Sequence, residues 1–196
     1  MLGIGIAANE AAVRSPTIVE RNGVRLAFLA YVDVPIETRS KFDTLSWAAT
    51  ADTPGLAWAV VEHITADVAA AKTQADVVIV LLHFGLEGRT AVTLAQKVQA
   101  RAAIDAGAAL VIGAHPHVLQ AYEEYNGGLI LYSLGNFVFD DFTEPEIYSA
   151  IFTATLTRDG VQAFDFIPVL LERDGLPRLA TAEEAPAVLE LLQPLP

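Results

Sequence analysis

Apolar runs separated by turn signals predict strands along much of the chain. The first two runs, Thr17–Glu20 and Val24–Val32, flank Asn22-Gly23. Asn-Gly is a strong two-residue hairpin signal because both residues tolerate positive φ. Val24–Val32 is almost continuously apolar, which is typical of a strand buried on both faces. Asp33–Ala51 has no clear period, so we predict a long loop there, and long loops in compact domains are often functional.

Two helices are predicted in the first half of the chain. Thr53 followed by Pro54 has the form of a helix start, with Thr as N-cap and Pro in the first helical position. This helix is predicted to run to about Lys72. The second helix is predicted over Val92–Ala106, and Gly107 is a fitting stop because glycine adopts the left-handed backbone that follows many helices.

Strands are predicted before and after the second helix, at Asp76–Leu82 and Ala109–Ile112. The resulting β–α–β–α–β order predicts an α/β fold whose strands are parallel and joined by helical crossovers. A last helix is predicted after Thr181. The second half of the chain also predicts two further hairpins, Leu119–Tyr125 with Leu129–Ser133 and Tyr148–Thr157 with Val161–Leu171.

Composition narrows the classes of function. The 196 residues suit one domain, and 53% hydrophobic residues are enough for a sizeable core. The longest apolar run is far shorter than the roughly 20 residues that cross a bilayer. The formal net charge of −12 disfavours nucleic acid as a partner because phosphate backbones repel such a surface. Cysteine is absent, which excludes disulfides and zinc-thiolate sites.

Three of the four histidines follow apolar strands. His83 ends the strand Asp76–Leu82, and His115 and His117 flank Pro116 after the strand Ala109–Ile112. The carboxyl ends of parallel strands are where α/β proteins place their sites. Neutral imidazole is the commonest metal ligand among side chains, and two such rings splayed by a proline turn suit two metals about 3.5–4 Å apart. The alternative is that these are loop histidines with local packing roles.

Other polar residues have weaker signals. Asn136 follows a third strand in a Gly-Asn turn, where it either orients a substrate or metal ligand or caps backbone groups in a structural turn. Glu87 and Asp140 are candidates for acids that support the ligands. His63 lies in the middle of the first predicted helix and is interpreted as a packing or surface residue. Ser133 has no histidine nearby in sequence, which disfavours a serine triad.

Three segments together resemble one protein family. His83–Glu87 resembles the His-Trp-Gly-x-Glu segment of the CapA family, the poly-γ-glutamate capsule synthesis proteins. Gly113–Gln120 resembles the family's Gly-x-His-Pro-His-Val-x-Gln segment, and Tyr132–Asp140 matches Tyr-Ser-Leu-Gly-Asn-Phe-Val-Phe-Asp. The segments occur in the family's order and at similar spacing. The resemblance covers essentially the whole chain, so residues 1–196 are predicted to form a single CapA-like domain.

The resemblance implies a fold and a site. The family belongs with the calcineurin-like metallophosphatases, whose fold is a β-sandwich flanked by helices with a site for two divalent metal ions at the strand ends. It implies that His83 and His115 bind one metal and His117 the other. We count Asn136, from its place in the turn after a strand, with these histidines as a candidate catalytic residue. The resemblance also implies a role in capsule polymer synthesis or export at the bacterial cell surface, with the polymer or a phosphate-containing small molecule as partner.

The family's first metal motifs have no counterpart here, so we expect a domain that is incomplete at its N-terminus. Asp33, Asp43 and Asp52 do not lie in matching motifs. Metallophosphatase chemistry needs a carboxylate beside the two metals, and we therefore expect little or no hydrolysis from this chain alone. Three hypotheses stay open: a CapA-type hydrolase or ligase-accessory domain, a non-catalytic remnant or binding module, and a mononuclear metal protein using the three histidines.

Overall fold

The structure is a computed structural model that describes residues 3–34, 36–37, 41–140 and 143–195, with the side chain of Glu37 excepted. The helices are α1 (Glu10–Val13), α2 (Val61–Lys72), α3 (Leu94–Asp105) and α4 (Ala185–Glu190), with a 3-10 helix at Thr44–Trp47. The strands are β1 (Ile6–Ala7), β2 (Thr17–Arg21), β3 (Val24–Asp33), β4 (Ile36–Glu37), β5 (Phe42–Asp43), β6 (Gly55–Leu56), β7 (Val77–Phe84), β8 (Leu110–Ala114), β9 (Tyr122–Tyr125), β10 (Gly128–Leu131), β11 (Tyr148–Thr157), β12 (Gly160–Leu171) and β13 (Pro177–Leu179).

A six-stranded sheet with the order β2-β3-β7-β8-β10-β9 forms the centre of the fold. The neighbouring strands β3, β7, β8 and β10 are parallel to one another. The outer strands are antiparallel to their neighbours, β2 to β3 and β9 to β10. Helices α2 and α3 make the crossovers from β3 to β7 and from β7 to β8. The predicted β–α–β–α–β unit with parallel strands is therefore confirmed.

Strand β7 is buried on both faces. Val78 and Val80 face a core that includes Ile64 of α2. Val77 and Ile79 face the opposite way, into a cluster that includes aromatic residues of the second sheet, β11-β12-β13. Burying a Val or Ile side chain contributes about 1.5–3 kcal/mol, so β7 is a major stabilising element. The predicted β-sandwich flanked by helices is confirmed.

The predicted start of the first long helix is wrong. Thr53 and Pro54 lie in a turn, the short strand β6 follows them, and α2 begins only at Val61. Gly55 runs so close to the 3-10 helix that an added Cβ would lie 2.4 Å from the carbonyl oxygen of Trp47. Backbone pairing with β1 and with Ala49 thus outcompetes the local helix signal.

The predicted loop Asp33–Ala51 contains two short strands and the 3-10 helix, although residues 35 and 38–40 lie outside the described part. Helix α3 begins near the predicted residue because Thr93 and Gln96 form a capping box. Gly107, at φ 112°, ends it as predicted. The three predicted hairpins are present, whereas α1 and β13 were not predicted.

Candidate metal centre

The carboxyl ends of β7 and β8 bring the predicted histidines together. His83 on β7 lies opposite Ala114, the last residue of β8, in the parallel register. His115, which follows Ala114, therefore lies beside His83. The ring centroids of His83 and His115 are 4.8 Å apart, and those of His115 and His117 are 6.1 Å apart. Three residues that are distant in sequence therefore form one cluster of imidazoles, as the strand-end pattern predicts.

The loop after β8 has an unusual backbone. His115 and His117, on either side of Pro116, both have positive φ, at 101° and 61°. Such conformations cost about 1–3 kcal/mol for residues other than glycine and cluster at functional sites. The loop is also tightly held where it begins, since a Cβ on Gly113 would lie 2.1 Å from the carbonyl oxygen of Tyr132.

Glu87 completes a group that could hold a cation. The ligand atoms of Glu87, His115 and His117 all lie within 4.8 Å of one another. Glu87 is brought there by its loop, because the backbone N–H of Gly88 donates to the carbonyl oxygen of Pro116 at 2.8 Å. His83 lies beside this group but is not one of its members. From the sequence, Glu87 was a candidate only for an acid that supports the ligands, and its place in the His83–Glu87 motif was the one signal of a closer role.

Asn136 orients one of the histidines. Its Oδ1 atom is 2.7 Å from Nδ1 of His117. Because Oδ1 can only accept, Nδ1 of the ring carries the proton and Nε2 keeps its lone pair for a ligand. Asn136 is buried, and its Nδ2 donates to the carbonyl oxygen of Glu146 at 3.4 Å. Asp140 is exposed and is not part of the group.

His83 is held in its neutral form. Partial desolvation, together with the neighbouring His115 and His117, lowers the pKa of His83 to about 4, while Glu87 acts in the opposite direction. The ring is therefore uncharged near neutral pH. Neutral imidazole is the form that ligates metals or accepts a proton.

A cavity of about 470 Å³ opens onto the cluster. Its lining includes His83, Glu87, His115 and His117. The rest of the lining is largely apolar, with Ile4, Val34, Trp47 and Leu56 among its residues. Val34 and Trp47 were predicted to lie in a loop and Leu56 in the first long helix, and no local signal predicted that they would line one cavity.

The donor set fits a divalent transition-metal ion. Two imidazoles and one carboxylate make up the ligand set of several catalytic zinc sites, which keep a further position open. Ligand atoms about 2.1 Å from a tetrahedral cation are about 3.4 Å apart, so modest side-chain rotations would bring the three groups to one ion. The oriented Nε2 of His117 strengthens the fit.

The fold, an α/β sandwich flanked by helices, is similar to that of two solved structures. It is similar to a hypothetical protein from Thermus thermophilus, with a TM-score of 0.51 and 13% identity over 79% of this chain and 61% of that one. It is also similar to a putative 5'-nucleotidase from Staphylococcus aureus, with a TM-score of 0.55 and 12% identity over 97% of this chain and 36% of that one. At such low identity these likenesses show the fold alone.

The family is shown by sequence. The model of the bacterial capsule synthesis protein family PGA_cap matches residues 1–141, and the chain belongs to this family. It is 38% identical over 148 residues to the PGA biosynthesis protein CapA of Bacillus subtilis (strain 168), which covers 76% of this chain and 37% of the relative. It is 32% identical over 183 residues to the capsule biosynthesis protein CapA of Bacillus anthracis, covering 91% of this chain and 42% of the relative.

The predicted membership of the CapA family is thus confirmed, and the chain spans about two fifths of the length of these relatives. Within the described residues, none of the helices has the length and apolar character needed to traverse a bilayer.

Proposed function

We propose that this chain holds a divalent cation through Glu87, His115 and His117, and that the site serves a hydrolytic step in the synthesis or export of a capsule polymer. The observation that carries the proposal is the meeting of one carboxylate and two imidazoles within 4.8 Å at the carboxyl edge of the sheet. Membership of a capsule synthesis family supports the biological role and a location at the cell surface.

Each residue has a distinct part in this proposal. A bound divalent cation would supply Lewis-acid polarisation of a phosphoryl or carbonyl oxygen. Glu87 contributes a negative charge, which imidazole ligands do not supply, and the contact of Asn136 with Nδ1 leaves Nε2 of His117 as the ligand atom of that ring. His83 lies next to His115 and could accept a proton or ligate a second cation, whereas the resemblance implies that His83 and His115 share one metal.

The substrate class that suits the site is a phosphate ester or the capsule polymer itself. A second cation would have few ligands among the described residues, since Glu87, His115 and His117 already form one group. Two-metal hydrolysis requires both ions as a clamp. We therefore expect metal binding that is easily measured and hydrolysis by this 196-residue chain that is slow or undetectable.

Calorimetric titration with Zn²⁺ and Mn²⁺ tests the proposal. We expect one ion to bind the unaltered chain, and His115→Ala and Glu87→Gln to weaken that binding at least about tenfold. His63→Ala is the matched control, because His63 lies on α2 and outside the ligand group. Turnover of a simple phosphodiester is measured on the same samples.

Failure of the unaltered chain to retain either ion would contradict the proposal and favour the non-catalytic binding module. Equal weakening by His63→Ala would mean that the measured ions bind at surface histidines. Turnover of the phosphodiester that is abolished by His115→Ala would overturn the expectation of slow hydrolysis while supporting the metal site.

A further inference from the structure

Two buried glutamines connect the loop of Glu87 to the rest of the fold. Gln96 on α3 and Gln120 after the histidine loop are 0% and 1% exposed. We propose that Gln120 is a positioning residue for the metal site: with Gln96 it fixes the loop that presents Glu87 to His115 and His117. The inference rests on the proposed metal site and adds to it residues that lie outside the ligand group.

Gln120 uses both ends of its amide. Its Nε2 donates to the carbonyl oxygen of Arg89 at 2.8 Å, and its Oε1 accepts from Nε2 of Gln96 at 2.9 Å. Its own backbone N–H donates to the carbonyl oxygen of Ser133 at 3.1 Å. The side chain of Gln120 therefore joins the loop after β7 to the start of α3, and its backbone joins the segment after β10.

Gln96 anchors the other end of this connection. Its Oε1 accepts from the backbone N–H of Thr93 at 3.0 Å, which closes the capping box of α3. A glutamine at this position of a capping box needs only to reach back to the N-cap. Here Nε2 of Gln96 also donates to Oε1 of Gln120, so both ends of the buried amide are hydrogen-bonded. Buried polar groups are tolerated when they have such partners.

The loop of Glu87 is held at three points by these contacts. Gly85, at φ 98°, packs against the amide of Gln96 so closely that an added Cβ would lie 2.7 Å from Nε2. Gly88 donates to Pro116 between the two histidines, and Arg89 is held by Gln120. Glu87 is itself exposed, and its place depends on these neighbouring backbone contacts.

Removing the amide of Gln120 would release the loop. Gln120→Met is similar in length but leaves the carbonyl oxygen of Arg89 and Nε2 of Gln96 without their partner. Groups that orient metal ligands typically change metal affinity by about 10-fold to 100-fold when they are lost. We expect Gln120→Met to weaken Zn²⁺ binding by at least about tenfold.

Gln99→Met is the matched control. Gln99 lies on the same helix and is also buried, but its Nε2 donates to Oδ2 of Asp33 at 2.7 Å and to the carbonyl oxygen of Ala59 at 3.0 Å. Both substitutions remove a buried amide, so both are expected to lower the unfolding temperature. Only Gln120→Met is expected to weaken Zn²⁺ binding.

A double-mutant cycle separates positioning from general destabilisation. In a Glu87→Gln background, Gln120→Met is expected to weaken Zn²⁺ binding by less than about twofold, because the carboxylate through which it acts is already absent. If Gln120→Met does not fold, Gln120→Glu replaces it in the same cycle. This variant keeps its shape and the acceptor for Gln96 but loses the donor to Arg89.

The outcomes distinguish the two proposals. Absence of Zn²⁺ binding by the unaltered chain contradicts the metal site itself. Normal binding that neither Gln120 variant weakens, or that Gln99→Met weakens equally, overturns the positioning role while the metal site stands. Weakening that persists in full in the Glu87→Gln background also overturns it.

Discussion

Two turns next to strands of the central sheet contain residues with positive φ, but the residue types differ between them. In the hairpin between β9 and β10, positive φ occurs at Asn126 and Gly127, at 46° and 80°. After β8, it occurs at His115 and His117. Asn and Gly adopt this conformation readily, whereas histidine does so at a cost in free energy.

The comparison separates a turn that only reverses the chain from a turn that places side chains. Replacement of Asn126 or Gly127 would affect folding and little else, because their surroundings are exposed. At the histidine turn the backbone strain is retained together with an imidazole at each strained position. Such an association of strain with chemistry is expected where function, and not stability, has selected the residues.

The largest difference between the two turns is expected in the free energy of unfolding when a glycine in or beside each turn is replaced by alanine. In Gly113→Ala, the new Cβ would lie 2.1 Å from the carbonyl oxygen of Tyr132 and 2.6 Å from the ring of Phe84, so backbone must move. We expect the free energy of unfolding to fall by about 3 kcal/mol. In Gly127→Ala nothing lies within 4 Å of the new atom, and we expect a loss of about 1 kcal/mol from positive φ alone.

Urea denaturation of both variants measures the difference. Equal losses would mean that the close approach of β8 to the segment after β10 does not constrain the histidine turn. The Gly127→Ala variant is also expected to leave Zn²⁺ binding unchanged.

The two asparagines provide the next test. Asn136→Ala removes the acceptor from Nδ1 of His117, and we expect Zn²⁺ affinity to fall by about 10-fold to 100-fold because the ring loses its fixed tautomer and orientation. Asn126→Ala removes a hydrogen bond to Asp105 at the hairpin and is expected to leave Zn²⁺ affinity unchanged.

Asn136→Asp keeps an acceptor for Nδ1 and is expected to bind Zn²⁺ more tightly than Asn136→Ala. Calorimetric titration of the three variants checks this order. Identical affinities for the Asp and Ala variants would argue that Asn136 caps the turn and does not orient His117.

The smallest effect is expected from relieving strain. His115→Gly gives the φ of 101° to a residue that adopts it freely, and we expect the free energy of unfolding without metal to rise by about 1 kcal/mol while Zn²⁺ binding weakens. Asn126→Gly should change stability by only a few tenths of a kcal/mol, because Asn already tolerates its φ of 46°. A loss of stability in His115→Gly would show that packing of the ring outweighs the strain.

Much of the fold could be predicted because its signals are local. The Asn22-Gly23 turn, the continuous apolar run of β7 and the glycine after α3 each act within a few residues. Their failure at Thr53 and Pro54 has an equally physical cause, since pairing of Gly55 and Leu56 with a distant strand outweighed a weak capping signal.

The sequence by itself determined the family, the parallel direction of β3, β7 and β8, and the placement of His83, His115 and His117 at strand ends, since these depend on motifs and on periodicity along the chain. Only the tertiary structure decided that Glu87 joins His115 and His117, that Gln120 reaches Arg89, and that apolar residues such as Ile4 and Trp47 line the same cavity as the histidines. These arrangements depend on contacts between residues far apart in sequence. A local pattern contains no information about which loops will meet once the two sheets and the helices have packed.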